Sequence, residues 1–375
     1  GRCAENDSVR PPSCGKLNGP HARWSVLDET VTIMVDAQAG QPASPLEIPR
    51  RVGNVRLGAV LGTGSGGTVL TGFDEALGRR VAVKVLHRHH GALSEHALVE
   101  LVEGVRSAAA VKHANIVAVY SVERVAGLPM IVMELVDGLS LRDFLRRAGA
   151  LEVPLAASVM RAVITGVEAL HAASVVHRDL KPANVLIDRQ GQVFVCDFGL
   201  AHALPGSGPT ASTAATVAGS PLYMAPEVFD GVVSPQGDVY ALGAMLFEVL
   251  FGRPPFEAAA LDEIQRLHRT APLGLERLER RRVPEALCEV IGRALHRQRI
   301  LRYKTAAHLL RSLDDAVPPQ PGDLLRRKLA DLVAAGPSGS DADRSRTEEA
   351  TPAMTTFDLL ARRAAEKRER RDDPA

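Results

Sequence analysis

The sequence predicts an α+β protein, strand-rich to about residue 134 and mainly helical afterwards, and three observations carry that reading. Apolar residues alternate at Val55, Leu57 and Ala59 and run together over 81–85, as strands require. Further on, they recur at helical spacing over 141–147, 155–172, 235–250, 258–269 and 284–296. Turn formers such as Gly252, Pro254 and Pro255 punctuate these segments.

Taken in order, residues 1–52 hold six prolines by position 50 and little periodicity, which predicts a flexible N-terminal arm. LGTGSGGTV follows at 61–69, with Gly62, Gly64 and Gly67 in a loop between two strands. That placement excludes a dinucleotide-binding βαβ turn and a Walker loop, both of which need a helix after the glycines. VAVK ends at Lys84, one helix is expected over 94–111, and PMIVMELVDG at 129–138 reads as an edge strand, buried along its length, leading into a connector. The end of the chain, 316–375, reads as a mostly disordered charged tail with short amphipathic helices at 324–333 and 356–371.

The chemistry concentrates at 177–199. HRDLKPANVL and CDFG place two carboxylates (Asp179, Asp197), an ammonium (Lys181) and an amide (Asn184) within about twenty residues. Phosphoryl transfer needs this set: a group to orient the attacking hydroxyl, a cation at the moving phosphate, and oxygen ligands for a magnesium ion that also bridges the nucleotide. Lysine usage points the same way. Only seven of the 45 basic residues are lysines, and two of the seven are Lys84 and Lys181. A compact ammonium fits between phosphate oxygens where a planar guanidinium is a poor substitute.

In these motifs and their order the chain resembles a eukaryotic-type serine/threonine protein kinase, bacterial-like in PMIVMELVDGLSLRDFL, over about residues 53–315. The resemblance implies a two-lobed protein kinase fold, with a strand-rich N-lobe to about residue 134 and a mainly helical C-lobe from about 138. It implies ATP with Mg2+, or Mn2+ in its place, and transfer of the γ-phosphate to protein Ser/Thr hydroxyls. The competing readings are a catalytically weak pseudokinase serving as an ATP-binding scaffold and a small-molecule kinase.

Residue by residue, the resemblance makes Asp179, Lys181 and Lys84 catalytic and gives the metal to Asn184 and Asp197. The nucleotide falls to Leu61, Gly62, Gly64, Gly67, Val69, Ala82, Met133, Glu134, Val136 and Leu186. Met133 would border the back of the adenine pocket, Ala82 and Leu186 would sandwich the purine, and Glu134 and Val136 would offer it backbone groups. GSPLYMAPE at 219–227 resembles the substrate-docking segment, with Ser220 near Asp179 and Lys181. Glu227 would pair with Arg302 and Asp238 would hold the 177–179 backbone. Arg178 before Asp179 implies activation by a phosphate on the loop, with Ser212, Thr213 and Thr216 as candidates.

One departure concerns the helix carboxylate that such a lysine normally pairs with. Its expected position, nine residues before His113, is Gly104. A one-residue shift would bring Glu103 inward, favoured here over Glu100 and over no pair at all. A second reading concerns Cys196, whose thiol would face the nucleotide and react if its pKa were lowered, or stay inert if buried.

Composition narrows the partners. Net charge is +1, which gives no case for nucleic acid. Cys3, Cys14, Cys196 and Cys288 show no metal spacing and suit a reducing, cytoplasmic compartment. No apolar run reaches the ~18 residues of a membrane span; the longest, 156–170, carries Arg161 and Glu168. The basic segment at 356–371 reads as a solvated charged tail, favoured over a helix for a partner or a membrane surface.

Overall fold

The computed structural model describes residues 30–35, 44–64, 67–86, 103–105, 107, 109–125, 128–198, 220–320 and 322–334. Its N-terminal part is built on a six-stranded antiparallel sheet in the order β3-β4-β5-β6-β8-β7. The strands are β3 (Arg51–Val52), β4 (Val55–Gly64), β5 (Gly67–Asp74), β6 (Arg79–Val85), β7 (Val119–Val125) and β8 (Leu128–Glu134). β4 and β5 pair down to Gly64↔Gly67, so the glycine loop does join two strands. Gly67 sits at φ +137°, and a Cβ there would run into the Val85 carbonyl, so the turn admits no side chain.

The flexible arm expected over 1–52 is corrected in its second half. Strands β1 (Thr30–Val35) and β2 (Ser44–Pro49) form an antiparallel hairpin, and Ile33 and Ile48 are buried in the core of the N-lobe. Alternation supplies the reason: Val31 and Ile33 on one strand and Ile48 on the other present apolar side chains at strand spacing, enough to seat two strands on an apolar face.

The C-lobe is helical, with one small sheet, β11-β10-β9, from β9 (Gly138–Ser140), β10 (Val185–Asp188) and β11 (Val193–Val195). Ser140 caps the helix Leu141–Ala148, its hydroxyl accepting from the Asp143 amide at 3.1 Å, and Gly149 at φ +70° closes it. The helices Val153–Ala172 and Pro235–Phe251 form the centre of the lobe, surrounded by Leu261–Thr270, Glu285–Ala294 and Ala306–Ala316. Leu261–Thr270 starts three residues later than the spacing predicted, since Ala260 is extended and the first turn carries Asp262 and Glu263.

By length and composition Val153–Ala172 would suffice to cross a membrane, which the sequence reading did not expect. Its place is the lobe core: Met160, Val163, Ile164 and Val167 are fully buried, and Arg161 reaches out to Asp314 at 2.5 Å. The short amphipathic helix expected at 324–333 is present and docks on the lobe. The helix Gly322–Ala334 packs Leu329 and Val333 into the same core, and Lys328 pairs with Glu152 at 2.8 Å. The expected helix at 356–371 lies outside the described residues.

Candidate active site

Between the lobes, β6 alternates in the way that builds a site. Val81, Val83 and Val85 enter the N-lobe core, while Ala82 and Lys84 take the opposite face, toward the C-lobe. Ala82 joins Val117, Met133 and Cys196 in one apolar cluster, with Val69, Val136 and Leu186 packed against it. The sequence expectations name all of these except Val117. The Glu134 amide donates to the Ala118 carbonyl at 2.8 Å, which leaves Glu134 only its carbonyl for a purine. Leu61 is exposed on the glycine strand, as is Gly62, at the mouth of the slot.

The loop below brings the polar set together. Asp179 Oδ2 receives Lys181 Nζ at 2.7 Å and Asn184 Nδ2 at 3.1 Å. The Asn184 amide nitrogen also donates to the Asp179 carbonyl at 2.8 Å, so its oxygen is the atom left to meet a ligand. The Cys196 amide donates to the Asn184 carbonyl at 3.0 Å, which sets Asp197 beside Asn184. Ser220 arrives as expected, but through its amide, which donates to Asp179 Oδ1 at 3.0 Å.

The frame beneath is rigid. Asp238, 2% exposed, accepts from the amides of His177 at 2.8 Å and Arg178 at 2.9 Å, and pairs with His171 Nε2 at 2.8 Å. Arg178 and Asp197 lie at φ +71° and +63°, conformations costly for residues with a Cβ and found where a site over-determines the backbone. Burial pushes the His177 imidazole below its ordinary pKa despite Asp238 and Asp179, so the ring is neutral at physiological pH. It bonds the Cys196 carbonyl through Nε2 at 3.0 Å. Phe198 packs below with Ile116, Leu170 and Val175.

Lys84 departs from the expected pairing. Its Nζ lies 2.7 Å from Asp197 Oδ2. Burial would raise the Asp197 carboxyl, but the Lys84 charge and hydrogen bond hold it below its ordinary value. The Glu103 assignment is overturned: Glu103 is exposed, and Val105 takes the inward face, lining a cavity with Lys84, Val117, Val119, Ile131, Met133, Asp197 and Phe198. Two residues are about 200° of helix, so a helix that points Val105 inward turns Glu103 away. Glu100 lies outside the described residues, as do Ser212, Thr213 and Thr216.

Cys196 is 9% exposed, and burial pushes its thiol well above the ordinary value, with Asp197 adding to the effect. It is therefore a packing residue of the slot, not a reactive thiol. Glu227 and Arg302 pair as expected, at 2.5 and 2.7 Å, with Arg302 only 1% exposed. Arg302 also donates to the carbonyls of His296, Gln236 and Arg297.

The arrangement fits a magnesium nucleotide. A carboxylate and a free amide oxygen suit an ion that takes one or two protein ligands and completes its shell with phosphates and water. The apolar slot suits a flat base, and Lys84 stands between slot and carboxylate.

Comparison with known proteins agrees. Residues 55–312 match the family model described as protein kinase domain. The chain is 35% identical over 284 residues to a probable serine/threonine-protein kinase of Streptomyces coelicolor, covering 74% of this chain and 42% of that protein. It is 33% identical over 255 residues to the serine/threonine-protein kinase PrkC of Bacillus subtilis, covering 68% and 39%. With the serine/threonine-protein kinase PknB of Mycolicibacterium smegmatis it shares 35% over 292 residues, covering 75% and 46%. The chain thus spans less than half the length of these curated relatives. Among solved structures, Rad53 1-466 in complex with AMP-PNP superposes with a TM-score of 0.55 at 25% identity, covering 68% of this chain and 64% of that one.

Proposed function

Because the chain belongs to the eukaryotic-type serine/threonine protein kinase family, we propose that it transfers the γ-phosphoryl group of ATP to serine and threonine hydroxyls of protein substrates. The observation that carries the proposal is the convergence of Asp179, Lys181, Asn184, Asp197 and Lys84 on one cleft below an apolar slot. That a solved relative in fold holds AMP-PNP favours ATP as the donor.

In this reading Asp179 accepts a hydrogen bond from the acceptor hydroxyl and takes its proton as the phosphorus–oxygen bond forms. Lys181, 2.7 Å from that carboxylate, stands ready to meet charge on the moving phosphoryl group. The oxygens of Asn184 and Asp197 would hold the magnesium, which when bound would neutralise phosphate charge. Lys84 reaches the nucleotide phosphates, and Ala82, Leu186, Val69 and Met133 exclude water from the purine. None of Lys84, Asp179 and Asp197 is replaced, so nothing favours a catalytically weak scaffold.

We further propose that phosphorylation of Ser212, Thr213 or Thr216 by the enzyme itself activates it, with Arg178 as the phosphate partner. Arg178 supports this: its Nε is buried without a hydrogen-bond partner among the described residues, a state that an arriving phosphate would relieve. Incubation with magnesium and ATP followed by mass spectrometry tests both proposals. Phosphate should appear on an added protein and on residues 200–219; an active enzyme with an unmodified loop would remove the second.

A further inference from the structure

The β1–β2 hairpin lies outside the stretch that matches the family model, which begins at residue 55. It is nevertheless built into the N-lobe. Ile33 keeps 1% of its surface and Ile48 none, and both belong to one apolar cluster with Leu70, Val81, Val83, Val85, Met130 and Val132. Those residues line a single face of the six-stranded sheet, the face turned away from the cleft. Across β6 the opposite face presents Ala82 and Lys84. The hairpin therefore backs the strand that carries the purine wall and the phosphate lysine.

A sheet with one face in a ligand cleft needs a second layer on the other face to hold its strands at fixed height. Among the described residues the hairpin supplies that layer, with Ile33 and Ile48 buried in it and Val31 packed beside them. We propose that Ile33 and Ile48 are positioning residues of the nucleotide site: acting through Val81, Val83 and Val85, they fix β6 and so set Ala82 and Lys84 against the purine and phosphates. The inference rests on the ATP reading above. Its physical basis is that a reactive constellation loses efficiency steeply when its supporting residues leave it loose by even about 1 Å.

The test uses the full chain and four variants: Ile33→Ala with Ile48→Ala together, Ile48→Ala alone, Ile48→Val alone, and Leu309→Ala in the C-lobe core as a control for stability loss. Affinity for a fluorescent ATP analogue with magnesium is measured beside KM for ATP, KM for the protein substrate, and melting temperature. The double variant should bind the nucleotide about tenfold more weakly, with KM for the protein substrate essentially unmoved. Ile48→Val should restore affinity, and Leu309→Ala should lower the melting temperature without touching it. A folded double variant that binds as the wild type does overturns the proposal, as does equal weakening by Leu309→Ala. Should the double variant not fold, hydrogen exchange in Ile48→Ala decides: amides of 79–85 should exchange faster while those of 160–167 do not, and unchanged exchange at 79–85 overturns it. This arm needs no nucleotide, so a wild-type chain that binds no ATP would refute the ATP reading separately.

Discussion

Lys84 Nζ and Asp197 Oδ2 lie 2.7 Å apart, an ion pair that ties the strand above the cleft to the loop below it. Lys84 is nearly buried, 7% exposed in its side chain, so its charge needs this partner. Substituting Lys84→Met should cost the enzyme its phosphate contact and leave Asp197 without its cation. Turnover should fall by orders of magnitude, and steady-state kinetics check it. Because Glu103 is exposed, Glu103→Gln should keep turnover within about twofold of wild type, as surface changes away from special features do. A large loss in Glu103→Gln would restore that glutamate to the site.

The Glu227–Arg302 pair makes a stability prediction. Arg302 is fully enclosed, with five acceptor contacts from one carboxylate and three carbonyls. Glu227→Ala leaves a buried guanidinium without its counter-charge, which should cost about 3–5 kcal/mol. Chemical denaturation measures it; a loss under about 1 kcal/mol would mean that the carbonyls alone satisfy the arginine.

Glu248 gives a pH dependence. Burial lifts its carboxyl to about 7, with Glu257 adding and the Tyr223 hydroxyl, 2.7 Å away, opposing. In the unfolded chain the carboxyl returns to its ordinary value of 4.5. The raised group therefore stabilises fully below that value, and its contribution is lost as pH rises through about 7. Glu248→Gln should flatten the fall in melting temperature between about pH 5.5 and pH 8. An identical fall in the variant would show that Glu248 does not carry it.

Cys196 should label slowly with a maleimide in the folded chain whether or not nucleotide is present, because burial disfavours its thiolate. Rapid labelling that ATP blocks would contradict the buried geometry.

The cleft was legible in the sequence because its chemistry sits in short, contiguous motifs: 177–197 alone supplies Asp179, Lys181, Asn184 and Asp197. Lys84 and Met133 were legible through the resemblance of VAVK and PMIVMELVDG to kinase motifs, and strand alternation is the physical reason that each takes the cleft face. What escaped was set by tertiary packing. Val31, Ile33 and Ile48 alternate as strands do, yet they stand among prolines and glycines that argue for a loose arm, and only the apolar face of the sheet decides between the two. Glu103 failed for a related reason: the angle of a helix about its axis is set by which side chain fits the cavity, and Val105 fits it. The segment 324–333 reads as amphipathic, but nothing in its spacing said that the helical lobe would receive Leu329 and Val333.

The most direct test of phosphoryl transfer compares the wild-type chain with Asp179→Asn, using γ-labelled ATP, magnesium and a serine- and threonine-containing protein substrate. The wild type should place label on serine or threonine. Asp179→Asn should bind nucleotide almost as well yet turn over about 10²–10⁴-fold more slowly, since only the group orienting the hydroxyl is lost. Wild-type turnover in Asp179→Asn, or no label from the wild type, would contradict the account.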